Sequence, residues 1–189
     1  MDAIDALTSR VSMPLLEHPA PGEEMLTRLL QAAARAADHA CLQPFRFLSI
    51  QGEQLHQLGE LYQQAALQQD PNLPTTQLER IRALPMRAPL VLVAIACCQQ
   101  HPKVPEIEQI ITAGAAVQNM LTAAFALGIG AYWRTGSLAY NPEVHRLLNM
   151  SENEKIVGFI YLGAPAGKLR TPKPVNINDI YQPWTGVVM

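Results

Sequence analysis

The chain has 189 residues, of which 49% are apolar and only 16% charged, against roughly 25% charged in ordinary soluble domains. Its 14 Lys and Arg against 16 Asp and Glu leave a net charge of -2, which excludes the basic face of a nucleic-acid binder and a polybasic membrane-surface protein. The length fits a single domain over residues 1–189, and so low a charge density argues that a second copy covers part of the surface.

Ala3 to Arg10 has helical spacing, with Asp2 as N-cap and Ile4 and Leu7 on one side. The segment opens MDAIDALTSR, with two acids and no apolar core, so it is not read as a secretory signal. The stretch Pro14–Pro21 ends this helix. Gly22 opens a second one, predicted to run to about Ala37 with Met25, Leu29, Leu30 and Ala33 inside. After the breaker Gln43–Pro44 come a short strand, Phe45–Ile50, and a helix from Gly52 to Gln69. Asp70–Pro74 is a polar, Pro-rich connection to a short helix, Gln77 to about Leu84.

Leu90–Cys98 reads LVLVAIACC, a run without alternation, as expected of a strand buried on both faces. Ile107–Leu127 is the longest helix, roughly 30 Å at 1.5 Å per residue. It is apolar nearly all round and rich in Ala and Gly, which suits a central helix approached closely by another backbone. Its Glu108, Gln109, Gln118 and Asn119 make it too polar for a free-standing membrane span. Gly128 and Gly130 stop it. Ala131–Trp133 reads as a short strand, Pro142–Asn149 as a helix capped by Asn141, and Ile156–Gly163 as a second buried strand. The tail, Ala164–Met189, holds four prolines yet also Ile177, Ile180, Tyr181, Trp184 and Val187. That apolar content predicts an extended arm packed on this subunit or its neighbour.

Several chemistries are absent as motifs. The chain has no GxxxxGK[ST] and no GxSxG, and its Gly128–Gly130 pair follows a helix rather than the strand a dinucleotide fingerprint requires. His18, His39, His56, His101 and His145 lack metal-ligand spacing, so no metal is expected. Cys41, Cys97 and Cys98 are an odd set without CxxC spacing, the usage of a reduced compartment, and the protein is read as cytoplasmic. Arginines do stand at the ends of apolar elements: Arg10 beside Ser12, Arg35 before Asp38 and His39, and Arg134 between Trp133 and Thr135. Guanidinium is a forked, permanently charged donor, so their convergence would bind an anion such as a phosphate.

These residues carry a resemblance. Ser9-Arg10-Val11-Ser12, Arg35-Ala36-Ala37-Asp38-His39 with Gln43-Pro44-Phe45, and His101-Pro102-Lys103-Val104-Pro105 occur in this order. The Ala-rich helix, Gly130-Ala131-Tyr132-Trp133-Arg134-Thr135-Gly136 and Lys155-Ile156-Val157-Gly158-Phe159-Ile160-Tyr161-Leu162-Gly163 follow. Together they resemble the short, YdjA-like branch of the nitroreductase family from residue 2 to about residue 167. The resemblance implies an α+β fold, an antiparallel central sheet flanked by helices with an extended C-terminal arm, in an obligate homodimer holding two FMN molecules across its interface. It implies oxidation of NADH or NADPH and reduction of an electron-poor acceptor, with no catalytic side chain beyond the flavin. A flavin carrier or sensor with little turnover is the alternative.

By the same resemblance, Arg10 and Ser12 hold the flavin phosphate and ribityl oxygens, with Val11 contributing through its backbone. Arg35, Asp38, His39 and Cys41 approach from the second subunit. Trp133, Arg134 and Thr135 line the other side, and Lys103 and Gly128 fall on the substrate or NAD(P)H side. Two departures stand out: Val11 replaces the usual Arg or His, and Met13-Pro14-Leu15 stands where a basic residue normally faces the reduced flavin. Arg35 and Lys103 are the candidates to replace it.

Overall fold

A computed structural model describes residues 1–186; Val187 of the apolar tail lies outside them. The helices are α1 (Ala3–Ser9), α2 (Glu23–Ala33), α3 (Glu53–Gln69), α4 (Thr75–Arg82), α5 (Glu106–Ala126) and α6 (Pro142–Leu147). The strands are β1 (Leu16–Glu17), β2 (Phe45–Gln51), β3 (Leu90–Cys97), β4 (Gly130–Arg134) and β5 (Glu154–Pro165). All pairings are antiparallel: the order is β1-β5-β3-β2, and β4 pairs with β5 as well. This is the α+β arrangement expected from the sequence.

Pleating sorts the strand residues onto two faces. Leu90, Leu92, Ala131, Ile160 and Leu162 meet Leu29 and Ala33 of α2 and Ala116, Val117, Met120 and Leu121 of α5. Val91, Val93, Phe159 and Tyr161 meet Leu55, Leu58, Tyr62 and Ala65 of α3, with Val144 of α6. Because helices cover both sides, β3 is apolar at every position, as its unbroken run predicts.

The structure corrects three expectations. The second helix ends at Ala33, not near Ala37; a tight turn follows in which Ala40, Cys41 and Gln43 adopt positive φ, and the Gln43 N–H donates to the Asp38 carboxylate at 2.6 Å. The Pro-rich stretch contains β1, whose Leu16 and Glu17 pair with Pro165 and Ala164. And α5 is not covered all round: Ile107 and Ile111, one turn apart, are 60% and 62% exposed. The tail from residue 167 to 186 is exposed throughout, with Trp184 84% accessible, so it does not pack on its own subunit.

One ion pair ties β2 to β5. Arg46 Nε and Nη2 donate to Glu154 at 2.6 and 2.8 Å, and Ser151 N–H donates to the same carboxylate at 3.0 Å. The guanidinium hydrogen bonds hold the Glu154 carboxyl down at about 2, overcoming its partial burial. Glu154→Gln is expected to cost about 2 kcal/mol near neutral pH, the scale of hydrogen bonds to charged groups. A carboxyl whose pKa is depressed on folding stabilises above its unfolded value and stops doing so as pH falls through its folded value. The stability gap between wild type and Glu154→Gln should therefore be constant above about pH 5 and close between there and pH 2, as urea unfolding at several pH values would measure.

Candidate functional site

The N-terminal segment leaves α1 at Arg10, whose N–H caps the helix on Ala6 O at 3.1 Å. Met13 N–H then donates to Ala131 O of β4 at 3.0 Å, which sets Ser12 beside the start of that strand. Met13 itself is 7% exposed, whereas Leu15, in the same stretch, is 65% exposed. The chain's other end arrives at the same place: Ala166 N–H donates to Leu15 O at 3.1 Å. Ser12, Lys168 and Arg170 consequently line one small cleft of about 100 Å³. Neither cation is in an ion pair among the described residues. A hydroxyl and two free cations on one concave surface form a donor set for a dianionic oxyanion.

Lys168 and Arg170 are absent from the sequence reading. The signal was present: Lys-Leu-Arg in an extended segment puts its two cations on the same side, because alternate residues share a face.

Trp133 and Arg134 part company. The indole of Trp133 packs with the α5 side of the sheet, its Nε1–H donating to Val157 O at 3.2 Å. Arg134 faces the opposite side, its guanidinium carbon 4.0 Å above the Tyr132 ring. Strand alternation forces the split. If Arg134 and Trp133 serve one ligand, Arg134 does so through its backbone. Thr135 follows at the exposed end of β4.

Arg35, Asp38, His39 and Cys41 come together along α5. Asn119 and Thr112 of that helix donate to Ala32 O at 3.3 Å and Ala37 O at 3.2 Å, and His39 Nδ1 lies 2.7 Å from Glu108 Oε2. His39 thus meets a carboxylate in the first turn of α5. Arg35, His39 and Cys41 are exposed. Within one chain, His39 lies at the start of α5 while Ser12 lies beyond its end, a separation of roughly 30 Å at 1.5 Å per residue.

Lys103 is exposed in the loop before α5, its N–H donating to His101 Nδ1 at 3.2 Å. Gly128 has φ +75° and N–H bonded to Phe125 O at 3.1 Å, the geometry of a helix stop. Burial pushes the Cys97 thiol up to about 11, which makes it a poor nucleophile. Among the described residues no cluster of His, Cys, Asp and Glu is placed to hold a metal ion, and no helix is long and apolar enough to cross a membrane.

Comparison with known proteins places this geometry. The model of the nitroreductase family matches residues 12–164. YdjA of Escherichia coli (strain K12), provisionally named an NAD(P)H nitroreductase, is 38% identical over 179 residues, which cover 95% of this chain and 96% of the relative. A Haemophilus influenzae protein with the same provisional name is 32% identical, covering 86% and 88%. Among solved structures, a nitroreductase-like family protein from Bacillus cereus superposes with a TM-score of 0.82 at 20% identity, over 98% of this chain and 97% of that one. A nitroreductase with bound FMN from Bacteroides fragilis gives 0.74 at 22% identity, over 97% and 100%. The family match over most of the chain and a 38% identical relative along nearly its whole length decide the assignment: this chain belongs to the nitroreductase family of oxidoreductases.

Proposed function

We propose that the chain is an FMN-dependent oxidoreductase that oxidises NADH or NADPH and reduces an electron-poor acceptor, a nitroaromatic, quinone or enone, in ping-pong order. The observation that carries this reading is the cleft shared by Ser12, Lys168 and Arg170, whose donors suit the phosphate of FMN. Relatives named for NAD(P)H nitroreductase activity and a similarly folded protein with FMN bound support the same cofactors. In this reading FMN, when bound, supplies the hydride-transferring ring.

The chain's own residues bind and enclose. Ser12 donates its hydroxyl and Lys168 and Arg170 their charge to the phosphate, with Arg10 at the end of α1 adding a further cation. Val11 offers backbone groups. Trp133, held by its bond to Val157 O, and the backbone of Arg134 and Thr135 wall one side against water. Arg35, Asp38, His39 and Cys41 serve the site of a second copy. The uncovered Ile107–Ile111 stripe is the apolar surface on which two α5 helices would pack, and antiparallel packing would bring one copy's His39 end to the other's Ser12 end. Arg35 and Lys103 are then the exposed cations available to stabilise negative charge on the reduced ring, since Met13-Pro14-Leu15 carries no positive charge.

The test is direct. Purified protein titrated with FMN should quench flavin fluorescence to one FMN per chain and sediment as a dimer. Anaerobic NADH or NADPH should bleach the yellow protein, and added quinone should restore its colour. Yellow protein that neither nicotinamide bleaches would point to the carrier or sensor reading; protein that takes up no FMN would overturn both.

A further inference from the structure

The geometry points to a second binding site, behind β4, for a small aromatic carboxylate. A cleft of about 400 Å³ opens there on the α3 side of the sheet, lined among others by Tyr62, Arg87, Tyr132, Arg134, Phe159 and Tyr161. Trp133 and Thr135 reach its edge, so it lies next to the wall assigned to FMN, but none of Ser12, Lys168 and Arg170 contributes to it. The inference rests on the fold and does not require the FMN reading.

The first support is charge. Two guanidiniums, Arg87 and Arg134, border this cleft, and neither is in an ion pair among the described residues. Arg134 lies with its guanidinium carbon 4.0 Å from the Tyr132 ring centre and 5.6 Å from that of Tyr161. Stacking on π faces occupies the flat side of the guanidinium and leaves its N–H edge for an anion. Both arginines also act electrostatically on the Tyr161 hydroxyl, opposing the upward push of its burial, which puts the two cations on a common target.

A second support is an unmet hydrogen bond. Tyr62 is 1% exposed, and its hydroxyl has no hydrogen-bond partner among the described residues. Buried polar atoms are almost always satisfied. Burial keeps this phenol protonated, so it is a donor lacking an acceptor in a wall of the cleft.

The third support selects the ligand. Five of the eleven residues that line the cleft are aromatic, a surface that favours a planar ring over a hydrated inorganic ion. The volume falls in the range of small-molecule sites, about 300–1,000 Å³. A ring bearing one carboxylate would meet the aromatic wall with its face and the guanidinium edges with its charge, and would give Tyr62 an acceptor.

Calorimetric titration of the full-length protein, with and without FMN, tests this with three probes: benzoate, benzamide and inorganic phosphate. Benzoate should bind once per chain at comparable affinity in both forms. Benzamide and phosphate should bind at least about 10-fold more weakly, since one lacks the charge and the other the ring. Arg87→Ala and Tyr62→Phe should each weaken benzoate by about 10-fold while leaving the FMN titration unchanged. Circular dichroism checks that both variants are folded, and Arg87 is exposed, so its loss is not expected to disturb packing. Equal binding of benzoate and benzamide, tighter binding of phosphate, benzoate binding that requires FMN, or an affinity indifferent to Arg87→Ala would each overturn the proposal. Absence of any benzoate binding at millimolar concentration would overturn it as well.

Discussion

Changing Lys168 and Arg170 together to alanine is expected to weaken FMN binding by about 100- to 10,000-fold. In that role each cation would donate a charge-assisted hydrogen bond of about 1.5–3 kcal/mol, and about 1.4 kcal/mol corresponds to a tenfold change in affinity. Neither residue is buried or ion-paired among the described residues, so the flavin-free variant should unfold at the wild-type temperature. Flavin fluorescence quenching measures the first quantity and a thermal melt the second. Ser12→Ala should lose less, about 1 kcal/mol, as a neutral donor does. A loss under threefold in the double variant would put the phosphate elsewhere.

Gly158→Ala is expected to be strongly disruptive for a single added methyl. A Cβ at residue 158 would collide with Nε1 and Cδ1 of the Trp133 indole and come within 2.9 Å of Arg134 O. The indole has nowhere near to go: its Nε1–H is held by Val157 O at 3.2 Å, and its far edge lies 4.0 Å from where a side chain on Gly114 would begin. The backbone of β4 is fixed too, since Trp133 and Arg134 pair with Ile160 and Phe159. The ring must therefore leave its slot, at about 3 kcal/mol or more from overpacking and lost aromatic burial. Urea unfolding should register that loss. Trp133 fluorescence should shift to the red when read in a Trp184→Phe background, because Trp184 is already in water. Adding Trp133→Phe to Gly158→Ala should recover part of the stability, a coupling that independent sites would not show.

What could be read from the sequence follows from how far apart the deciding contacts lie. The strands at β3 and β5 were legible because burial on both faces writes itself into a continuous apolar run, and α5 because 21 consecutive residues satisfy helical spacing. The end of α2 was not. Ala34 to Ala37 have no glycine or proline to halt a helix, and the turn there depends on an Asp38 side chain reaching Gln43 N–H. Nor was β1, whose two residues acquire strand geometry only from Ala164 and Pro165. The candidate site divides the same way. Arg10, Ser12 and Trp133 stand in contiguous motifs, whereas Lys168 and Arg170 become meaningful only when β1 closes on the end of β5. The opposite orientations of Trp133 and Arg134 were implicit in the alternation of any strand, but invisible while the two were taken as one motif.

That closure also has a temporal side. Lys168 and Arg170 are made long after Ser12, so the cleft that the three line comes into being only once Arg170 has left the ribosome. A nascent chain halted after residue 163 would already hold the strands that pair as β2, β3, β4 and most of β5, yet it would lack the Lys168 and Arg170 side of that cleft. With the FMN phosphate held there as proposed, retained yellow colour would be a readout of chains synthesised past Arg170.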